Sequence, residues 1–293
     1  MTFRRIAVLG VGLIGGSFAL ALRQRGFRGE IVGWDRAEVL TQAETRGAIH
    51  RGTSELGEAL GGAELVYLAT PVVLTLELLP GVLRGVAPGT LVTDTGSSKA
   101  AICRVALGAC PPEVVFLGGH PLAGKETCGI ENADADLFVN ATYILTPEAP
   151  EVLNKPGVQA LLEWIREVGA TPATLDAETH DWAVALVSHL PQLVSTALAS
   201  AVWDETDDDG LPIRFAGPGF RDMTRLAASP YELWRDIGLT NSDNIARALE
   251  RLEHKLERLR SLLKSRALEG EFRKAQELCK QLEALRSEPG RQQ

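Results

Sequence analysis

Short apolar runs alternate with segments of helical length along the first half of the chain. The stretch "RRIAVLGVGLIGGSFALALRQRG" places an apolar run before a set of glycines and continues as an apolar segment ending at Gly26, which is the order strand, tight turn, helix. Further strand-like runs follow, each separated from the next by enough residues for a helix: "EIVGWD", "AELVYLATP", "GTLVTDTGSSK" and "EVVFLGGHP". Repeated βαβ units of this kind predict a parallel sheet.

Two later runs, "ATYILTP" and "GATPATL", predict further strands on either side of a helix from about Gly157 to Val168. These strands complete a first domain near residue 174. Beyond that point the pattern becomes helical. Residues 176–204 form one long apolar-rich stretch, in which Pro191 is expected to kink the helix or to start a new one.

From Ser242 onward, apolar residues return at alternating steps of four and three positions, which is the heptad spacing of helices that pack in pairs. This apolar seam consists of Ile245, Leu249, Leu252, Leu256, Leu259 and Leu263. A second such helix is predicted from about Leu268 to Leu285. One hairpin cannot bury the apolar seams of both helices by itself, so we expect a homodimer through these C-terminal helices.

The whole pattern predicts an α/β protein with two domains. Residues 1–174 are expected to form a Rossmann-type dinucleotide-binding domain around a parallel sheet. Residues 175–293 are expected to form an all-helical domain for substrate binding and dimerisation.

The first turn carries a dinucleotide-binding fingerprint. Gly10, Gly12 and Gly15 fit the pattern GxGxxG, and the strand before them and the helix after them supply the context that this pattern needs. The pyrophosphate of a dinucleotide would rest on the backbone amides that open the helix, at Leu13 and Ile14.

The second strand ends in Asp35, twenty residues after Gly15. A carboxylate at this point accepts hydrogen bonds from the adenosine ribose of NAD. The adjacent Arg36 leaves NADP open, because an arginine can accommodate a 2′-phosphate. Since Asp35 would repel that phosphate, NAD is the favoured cofactor.

Composition and charge restrict the partners. The chain has 293 residues, of which 45% are hydrophobic, and a formal net charge of −8. An acidic protein lacks the basic face that a nucleic acid or an anionic membrane would need. Four cysteines without CxxC spacing suggest neither a zinc site nor a disulfide framework. With no secretory signal pattern at the N-terminus and no apolar run of 18 or more residues, we expect a cytoplasmic protein without a membrane partner.

Polar residues gather where the predicted strands end. Three strand ends read Thr70-Pro71, Asp94 to Lys99, and Gly118 to Pro121. Because ligands of parallel α/β sheets bind at the carboxyl ends of the strands, these residues are expected to line the cofactor and substrate site.

The segments "GVGLIGGS", "DTGSSK", "GGHPLAGKETCG", "SHLPQ", "GFRDMTRLA" and "LWRDI" occur in an order and spacing that resemble the prephenate dehydrogenases. This family comprises NAD-dependent enzymes of tyrosine biosynthesis and includes relatives that use arogenate. The resemblance implies a dinucleotide-binding domain followed by a helical domain that dimerises. It also implies oxidative decarboxylation of a cyclohexadienol: a hydride leaves the ring carbon that bears the hydroxyl, a base takes the hydroxyl proton, and the ring carboxylate departs as CO2.

The resemblance also implies roles for individual residues. His120 matches the catalytic histidine, which acts as the base, and Ser97 matches a serine that hydrogen-bonds the substrate hydroxyl and that histidine. His189 matches a second histidine, which contacts the substrate side chain. Arg225 matches an arginine that holds a substrate carboxylate, and Glu126 an acid that pairs with this arginine near the entrance.

Several alternatives to these roles stay open. The neighbouring Ser98 competes with Ser97, and Arg221 competes with Arg225 from four residues away. Lys125 departs from the small polar residue expected there, so it either adds positive charge for an anionic substrate such as prephenate or is a solvated surface lysine. The family often has a histidine where this chain has Gln192.

The remaining histidines, His50, His180 and His254, belong to no motif and are expected on the surface. Two other functions remain possible from the layout alone. A β-hydroxyacid-type dehydrogenase would use a catalytic lysine on a helix, and a non-catalytic NAD-binding redox sensor would need a partner surface that the sequence does not display. Prephenate and arogenate differ by a keto or amino group, which the sequence does not resolve.

Overall fold

In the computed structural model, which describes residues 3–125, 127–206 and 209–287, eight strands form a single sheet. The strand order is β3-β2-β1-β4-β5-β6-β7-β8. The strands are β1 (Arg5–Leu9), β2 (Glu30–Trp34), β3 (Arg51–Thr53), β4 (Leu65–Leu68), β5 (Leu91–Asp94), β6 (Val115–Pro121), β7 (Thr142–Thr146) and β8 (Thr171–Thr174). The order reverses direction between β1 and β4, which is the switch point where such sheets bind ligands.

Helices cover both faces of this sheet and then make up the remainder of the chain. Those of the first part are α1 (Leu13–Gln24), α2 (Ala37–Thr45), α3 (Leu56–Leu60), α4 (Val72–Gly85), α5 (Ala100–Ala109) and α6 (Pro156–Glu167). Those of the second part are α7 (Ala177–Val184), α8 (Leu190–Asp204), α9 (Leu211–Arg214), α10 (Pro218–Thr224), α11 (Tyr231–Thr240), α12 (Ser242–Leu262) and α13 (Leu268–Ser287).

The sheet is parallel from β3 to β6, as predicted, but the pair β6 and β7 is antiparallel. The expectation of a wholly parallel sheet is therefore wrong at this edge. Residues 122–141 join the two strands, and the described part of this segment contains one 3₁₀ turn, Ile130–Asn132, in place of a crossover helix. Without that helix the chain returns in the opposite direction. Helix α6 then restores a parallel connection to β8.

Two apolar layers hold the sheet. The layer on one face includes Phe18, Tyr67 and Phe138, and the rings of Phe18 and Tyr67 stack 4.0 Å apart. The layer on the other face is built from aliphatic residues such as Leu68 and Val82. Because both faces are covered, the strands read as continuous apolar runs, which is the pattern that identified them in the sequence.

The long helical stretch predicted from residue 176 is continuous but not uniform. Helices α7 and α8 are joined by a π-helical turn over Ala185–His189, directly before Pro191. The expectation of no long apolar run does not hold for the helical stretch Ala177–Asp204. By length and composition alone, this stretch could cross a membrane. It also contains buried polar residues, among them His180 and Asp181, which hydrogen-bond the sheet part of the protein.

The last two helices form a hairpin whose apolar seam is progressively uncovered. Ile245 is buried near the start of α12, whereas Leu256 and Leu263 are 55% and 68% exposed. Helix α13 adds Phe272 and Leu278, which are also exposed. Lys255 and Arg258 both pair with Glu271 and tie the two helices together. The hairpin thus leaves a long apolar surface that no described residue of its own chain covers.

Candidate active site

The turn after β1 has the backbone of a dinucleotide-binding loop. Gly10 adopts a φ of +89°, and a Cβ there would lie 2.6 Å from the carbonyl oxygen of Ala69. A Cβ on Gly15 would collide with the carbonyl oxygen of Gly10, so this glycine allows α1 to pack closely on β1. A Cβ on Gly12 would meet no described protein atom within 4 Å. The space beside Gly12 therefore fits a pyrophosphate approaching the amides of Leu13 and Ile14.

The N-terminus of α1 suits an anionic ligand. The first turn of this helix contains no acidic residue that would compete for its amides. Asp35 lies at the end of β2, half-buried, and its Oδ2 accepts a hydrogen bond from the Val11 backbone N–H at 2.8 Å. The carboxylate is thereby fixed beside the glycine turn, where the ribose of NAD would be bound. These residues fit the cofactor that the sequence predicted.

Thr70 and Pro71 lie next to the glycine turn, after β4. The Thr70 hydroxyl is within 2.8 Å of the Thr75 hydroxyl, and Pro71 is the residue that precedes the first turn of α4. The close approach of Gly10 to Ala69 puts this strand end against the fingerprint loop. The structure therefore brings the predicted cofactor-binding residues to one edge of the sheet.

His120 ends β6 at the same edge and is the first member of a buried chain of polar side chains. Its Nδ1 lies 2.8 Å from Nε2 of His180, and Nδ1 of His180 lies 2.8 Å from Oδ1 of Asp181. All three residues are at most 9% exposed. This arrangement leaves Nε2 of His120 as the ring nitrogen that is not held by the network.

Asp181 is anchored at the start of α5. Its Oδ1 accepts a hydrogen bond from the Lys99 backbone N–H at 2.6 Å, and its Oδ2 accepts one from the Ala100 N–H at 3.0 Å. Helix α5 has no acid in its own first turn. Asp181 therefore supplies a negative charge from the helical part to the positive end of this helix dipole.

A second buried charge supports the strand end that carries His120. The Lys99 ammonium group pairs with Asp94 Oδ2 and donates a hydrogen bond to the Gly119 carbonyl oxygen at 2.8 Å. Asp94 also accepts hydrogen bonds from the backbone N–H groups of Gly96 and Gly119. The backbone on both sides of the candidate site is thus tied to one ion pair, and the lysine has no solvent exposure.

Burial lowers the pKa of two histidines of the site, His120 and His189, and so favours their neutral forms. It lowers the pKa of His120 well below its usual value of 6.5, and the nearby His180, Lys99 and His189 lower it further. Burial likewise lowers the pKa of His189 to about 4, against a raising effect of Asp181. A neutral His120 can accept a proton at physiological pH, which a base requires.

His189 has a hydrogen-bond donor as the partner of its Nδ1. Its Nδ1 lies 3.3 Å from Nδ2 of Asn241, an atom that can only donate. The orientation of the Asn241 amide is supported by Asn244, which donates to its Oδ1 at 2.8 Å. Nδ1 of His189 is therefore an acceptor, and its proton resides on Nε2. Its ring also packs edge-to-face on Trp234, at 5.9 Å.

The two neighbouring serines have different environments. Ser98 is fully buried, and its hydroxyl is 2.7 Å from the Thr240 hydroxyl, which joins the two parts of the chain. Ser97 is half-buried and has no hydrogen-bond partner within the described residues. Ser97 is therefore the serine that is free to meet a substrate.

Arg225, the predicted carboxylate-binding arginine, lies in a 3₁₀ turn, Arg225–Ala228, that is hydrogen-bonded to α8. Gln192 donates to the Leu226 carbonyl oxygen at 2.8 Å, and the Ala227 N–H donates to the Ser195 hydroxyl at 3.0 Å. Gln192 thus holds the segment that carries Arg225. Arg221 lies outside this turn, at the end of α10, and both arginines are exposed.

The loop that follows His120 folds back on α1. The Asp134 N–H donates to the Ser17 hydroxyl at 2.8 Å, and Ile130 packs against Gly16. Lys125 pairs with Asp134 at 3.0 Å within the same loop, an arrangement that favours its reading as a surface lysine. Glu126 lies outside the described residues.

The prediction that His180 is a surface residue is wrong: it is fully buried and contacts His120 directly. His50 and His254 are exposed, as predicted. Asp181 was not identified in the sequence either, and the ion pair of Lys99 and Asp94 was not predicted, although both residues lie in a strand end that was expected to line the site. The adjacent His180 and Asp181 within an apolar helical stretch were the available signal, since a buried histidine beside a buried acid needs a partner.

Two family models match the chain. A family model described as prephenate dehydrogenase, nucleotide-binding domain, matches residues 18–173. A second, described as prephenate dehydrogenase, dimerization domain, matches residues 176–280. The prephenate dehydrogenase of Lactococcus lactis subsp. cremoris is 36% identical over 253 residues, which cover 86% of this chain and 68% of that protein.

Two solved structures resemble the whole chain. Prephenate dehydrogenase from Aquifex aeolicus, in complex with hydroxyphenyl propionate and NAD+, has a TM-score of 0.88 and 29% identity, covering 96% of this chain and 99% of that one. Synechocystis arogenate dehydrogenase has a TM-score of 0.75 and 32% identity, covering 96% and 98% of the two chains.

Proposed function

This chain belongs to the prephenate dehydrogenase family, and from that premise we propose that it converts prephenate to 4-hydroxyphenylpyruvate and CO2, with reduction of NAD+ to NADH. One observation carries the proposal beyond family membership. His120 is a buried, neutral histidine whose Nδ1 is held by His180, so that Nε2 is left to act as a base at the edge of the sheet where the dinucleotide binds.

His120 and Ser97 handle the substrate hydroxyl in this reaction. Nε2 of His120 accepts the hydroxyl proton while the C–O bond gains double-bond character, and Ser97 orients the same hydroxyl. NAD+ bound over the glycine turn supplies the hydride acceptor. Loss of the ring carboxylate as CO2 returns its bonding electrons through the ring to the carbonyl oxygen, which takes the proton back from His120 as the ring becomes an aromatic phenol. The residues of this chain therefore need to orient the substrate and take up one proton.

His189 and Arg225 hold the rest of the substrate. The Nε2–H of His189 is a donor, which suits an oxygen of the substrate side chain. Arg225 can bind a carboxylate through two parallel hydrogen bonds. Glu126 and Lys125, on the loop after His120, are assigned to the entrance, with Lys125 engaged by Asp134.

Arogenate is the second candidate substrate, and the likeness to the Synechocystis arogenate dehydrogenase supports it. The two substrates differ at the side-chain position that His189 would contact. A hydrogen-bond donor there matches the keto oxygen of prephenate, whereas the ammonium group of arogenate would need an acceptor. This difference favours prephenate.

We also propose the division of the chain and its assembly. Residues 1–174 bind NAD, and residues 175–293 bind the substrate and form a homodimer; the exposed seam of α12 supports the dimer. The protein is assigned to the cytoplasm, where its substrate and its cofactor would be available.

A steady-state assay of NADH formation tests this proposal. The protein is supplied with NAD+ or NADP+ and, in turn, with prephenate, arogenate and a panel of simple hydroxy acids. We expect the highest kcat/KM with prephenate and NAD+. A higher value with arogenate would transfer the proposal to the alternative substrate, and turnover of a hydroxy acid without prephenate turnover would refute it.

A further inference from the structure

The buried chain that begins at His120 continues away from the substrate side, through His180 to Asp181. We propose that Asp181 and His180 are positioning residues of the reaction: they fix the tautomer of His120 and take over the positive charge that forms on it. This inference rests on the proposed role of His120 as the base.

The hydrogen bonds define which ring nitrogen of His180 and of His120 carries the proton. Asp181 accepts from the backbone N–H groups of Lys99 and Ala100, and an ionised carboxylate can only accept. Nδ1 of His180 must therefore carry the proton that points to Asp181, which makes its Nε2 an acceptor. Nδ1 of His120 then carries the proton shared with His180. Nε2 of His120 is left with a lone pair, as a base needs.

The same series of hydrogen bonds can move the positive charge that forms on His120 away from the substrate. When Nε2 of His120 takes the hydroxyl proton, the Nδ1 proton of His120 can pass to Nε2 of His180. No proton is gained or lost overall: His120 becomes neutral again, and His180 becomes the cation. That cation lies 2.8 Å from the Asp181 carboxylate, in a direct ion pair, whereas a cation on His120 would face the Lys99 ammonium group.

The charged groups around His120 and His180 favour proton transfer from His120 to His180. Around His120 lie the Lys99 ammonium group, with its partner Asp94, and the imidazole of His189. His180 instead has Asp181 as its neighbour, which is stabilised by the N-terminus of α5.

Asp181 also borders a cavity of about 200 Å³ on the outer side of the domain junction. The cavity is lined by polar residues that include Arg104, Glu178 and Asn244. The positive charge on His180 thus ends beside a carboxylate that borders this polar cavity, and not on the residue that contacts the substrate.

Asp181→Asn tests whether Asp181 fixes the tautomer of His120. The amide can still accept from the α5 amides with one oxygen, but it no longer imposes a proton on Nδ1 of His180. We expect kcat with prephenate to fall at least tenfold, while KM for prephenate and NAD+ stays within about twofold. In ¹⁵N NMR spectra of the protein without substrate, His120 should change from the Nδ1–H form to a mixture of both tautomers. Asp176→Asn is the matched control, since Asp176 caps α7 through the Thr179 N–H at 2.9 Å.

His180→Gln separates charge uptake from tautomer fixing. A glutamine can accept from Nδ1 of His120 and donate to Asp181, but it cannot become a cation. We expect the NMR spectrum of His120 to keep the Nδ1–H form and kcat to fall at least tenfold.

An unchanged His120 tautomer and a normal kcat in Asp181→Asn, or full activity in His180→Gln, would overturn the inference. An inactive wild-type protein would instead indicate that the proposed substrate is wrong, while the NMR spectra would still report on the tautomer.

Discussion

Three histidines meet at the carboxyl edge of the sheet, and their partners give each of them a different property. His120 is directed to accept a proton at Nε2, and His180 links it to a carboxylate. His189 is directed to donate, because Asn241 occupies its Nδ1. Burial is shared by all three, so the hydrogen-bond partner, and not burial, sets the difference between them.

His120→Asn should separate chemistry from binding. Removal of a general base lowers kcat by about 10²-fold to 10⁴-fold with little change in KM. In the wild type, activity requires neutral His120, so kcat should fall as the pH drops through the pKa of this group. Because burial lowers that pKa, the loss should lie well below pH 6.5. Steady-state rates across the acid range would check this. A wild-type loss centred at or above pH 6.5, or the same acid loss in the variant, would assign the base elsewhere.

Arg225→Gln should mainly weaken substrate binding. The guanidinium group is expected to hold a carboxylate that is present before and during the reaction, so its loss raises KM for prephenate by the equivalent of about 1.5 to 3 kcal/mol. Arg221→Gln is the matched comparison, since this residue lies at the end of α10, outside the turn that Gln192 holds. A normal KM in Arg225→Gln together with a raised KM in Arg221→Gln would reverse the assignment.

The residues of the site differed in how far they could be predicted. The glycines were predicted from a short motif between a strand and a helix, whereas His120 and Ser97 were proposed from the resemblance to the prephenate dehydrogenases. His180 and Asp181 could not be predicted, since their importance depends on α7 packing against the start of α5, a contact between segments about 80 positions apart in the chain. Ser98 was distinguished from Ser97 by its bond to Thr240, which is still more remote in sequence.

At the scale of elements, two helix N-termini of the sheet part receive carboxylates from the helical part. Asp181 accepts from the first amides of α5, and Asp236 accepts from the Val73 N–H of α4 at 3.3 Å. Neither helix has an acid in its own first turn. Both helices begin at the edge where ligands bind, so these caps hold the helical part over the site.

Asp236→Ala should therefore destabilise the protein. Asp236 is buried and also pairs with Arg235, so its loss removes a helix cap and leaves an arginine without this partner. We expect the free energy of unfolding to fall by about 1 to 2 kcal/mol. Asp222→Ala, at an exposed position of α10, should change it by less than about 0.5 kcal/mol. Chemical denaturation of both variants measures this, and equal stability would contradict the role of the cap.

Element order followed from the sequence, but one strand direction did not. Alternating apolar runs and helical segments predicted β1, β2, β4, β5 and β6 and their parallel order correctly, but not the short strand β3. Residues 122–141 are long enough to contain a helix, yet this segment instead folds back on α1 through Ile130 and Asp134. Length alone therefore suggested a crossover where the chain makes an antiparallel return.

At the scale of the whole molecule, the α12–α13 hairpin leaves apolar side chains uncovered, and a second copy would bury them. Replacing both Leu256 and Leu263 by Glu should place charges in this apolar seam and shift the protein from dimer to monomer. Ser261→Glu adds one charge to the same helix outside the seam and should leave the dimer intact. Sedimentation analysis distinguishes the states. A monomeric wild type, or a double variant that remains a full dimer, would remove the hairpin as the interface.

The central claim is that this chain oxidises and decarboxylates prephenate in one reaction that depends on His120. The most direct measurement is the product stoichiometry when purified protein consumes a known amount of prephenate with excess NAD+. We predict one NADH, one CO2 and one 4-hydroxyphenylpyruvate for each prephenate, formed at a rate at least about 10²-fold lower in His120→Asn. NADH formed without an equal amount of CO2, or equal rates in the wild type and the variant, would contradict the account.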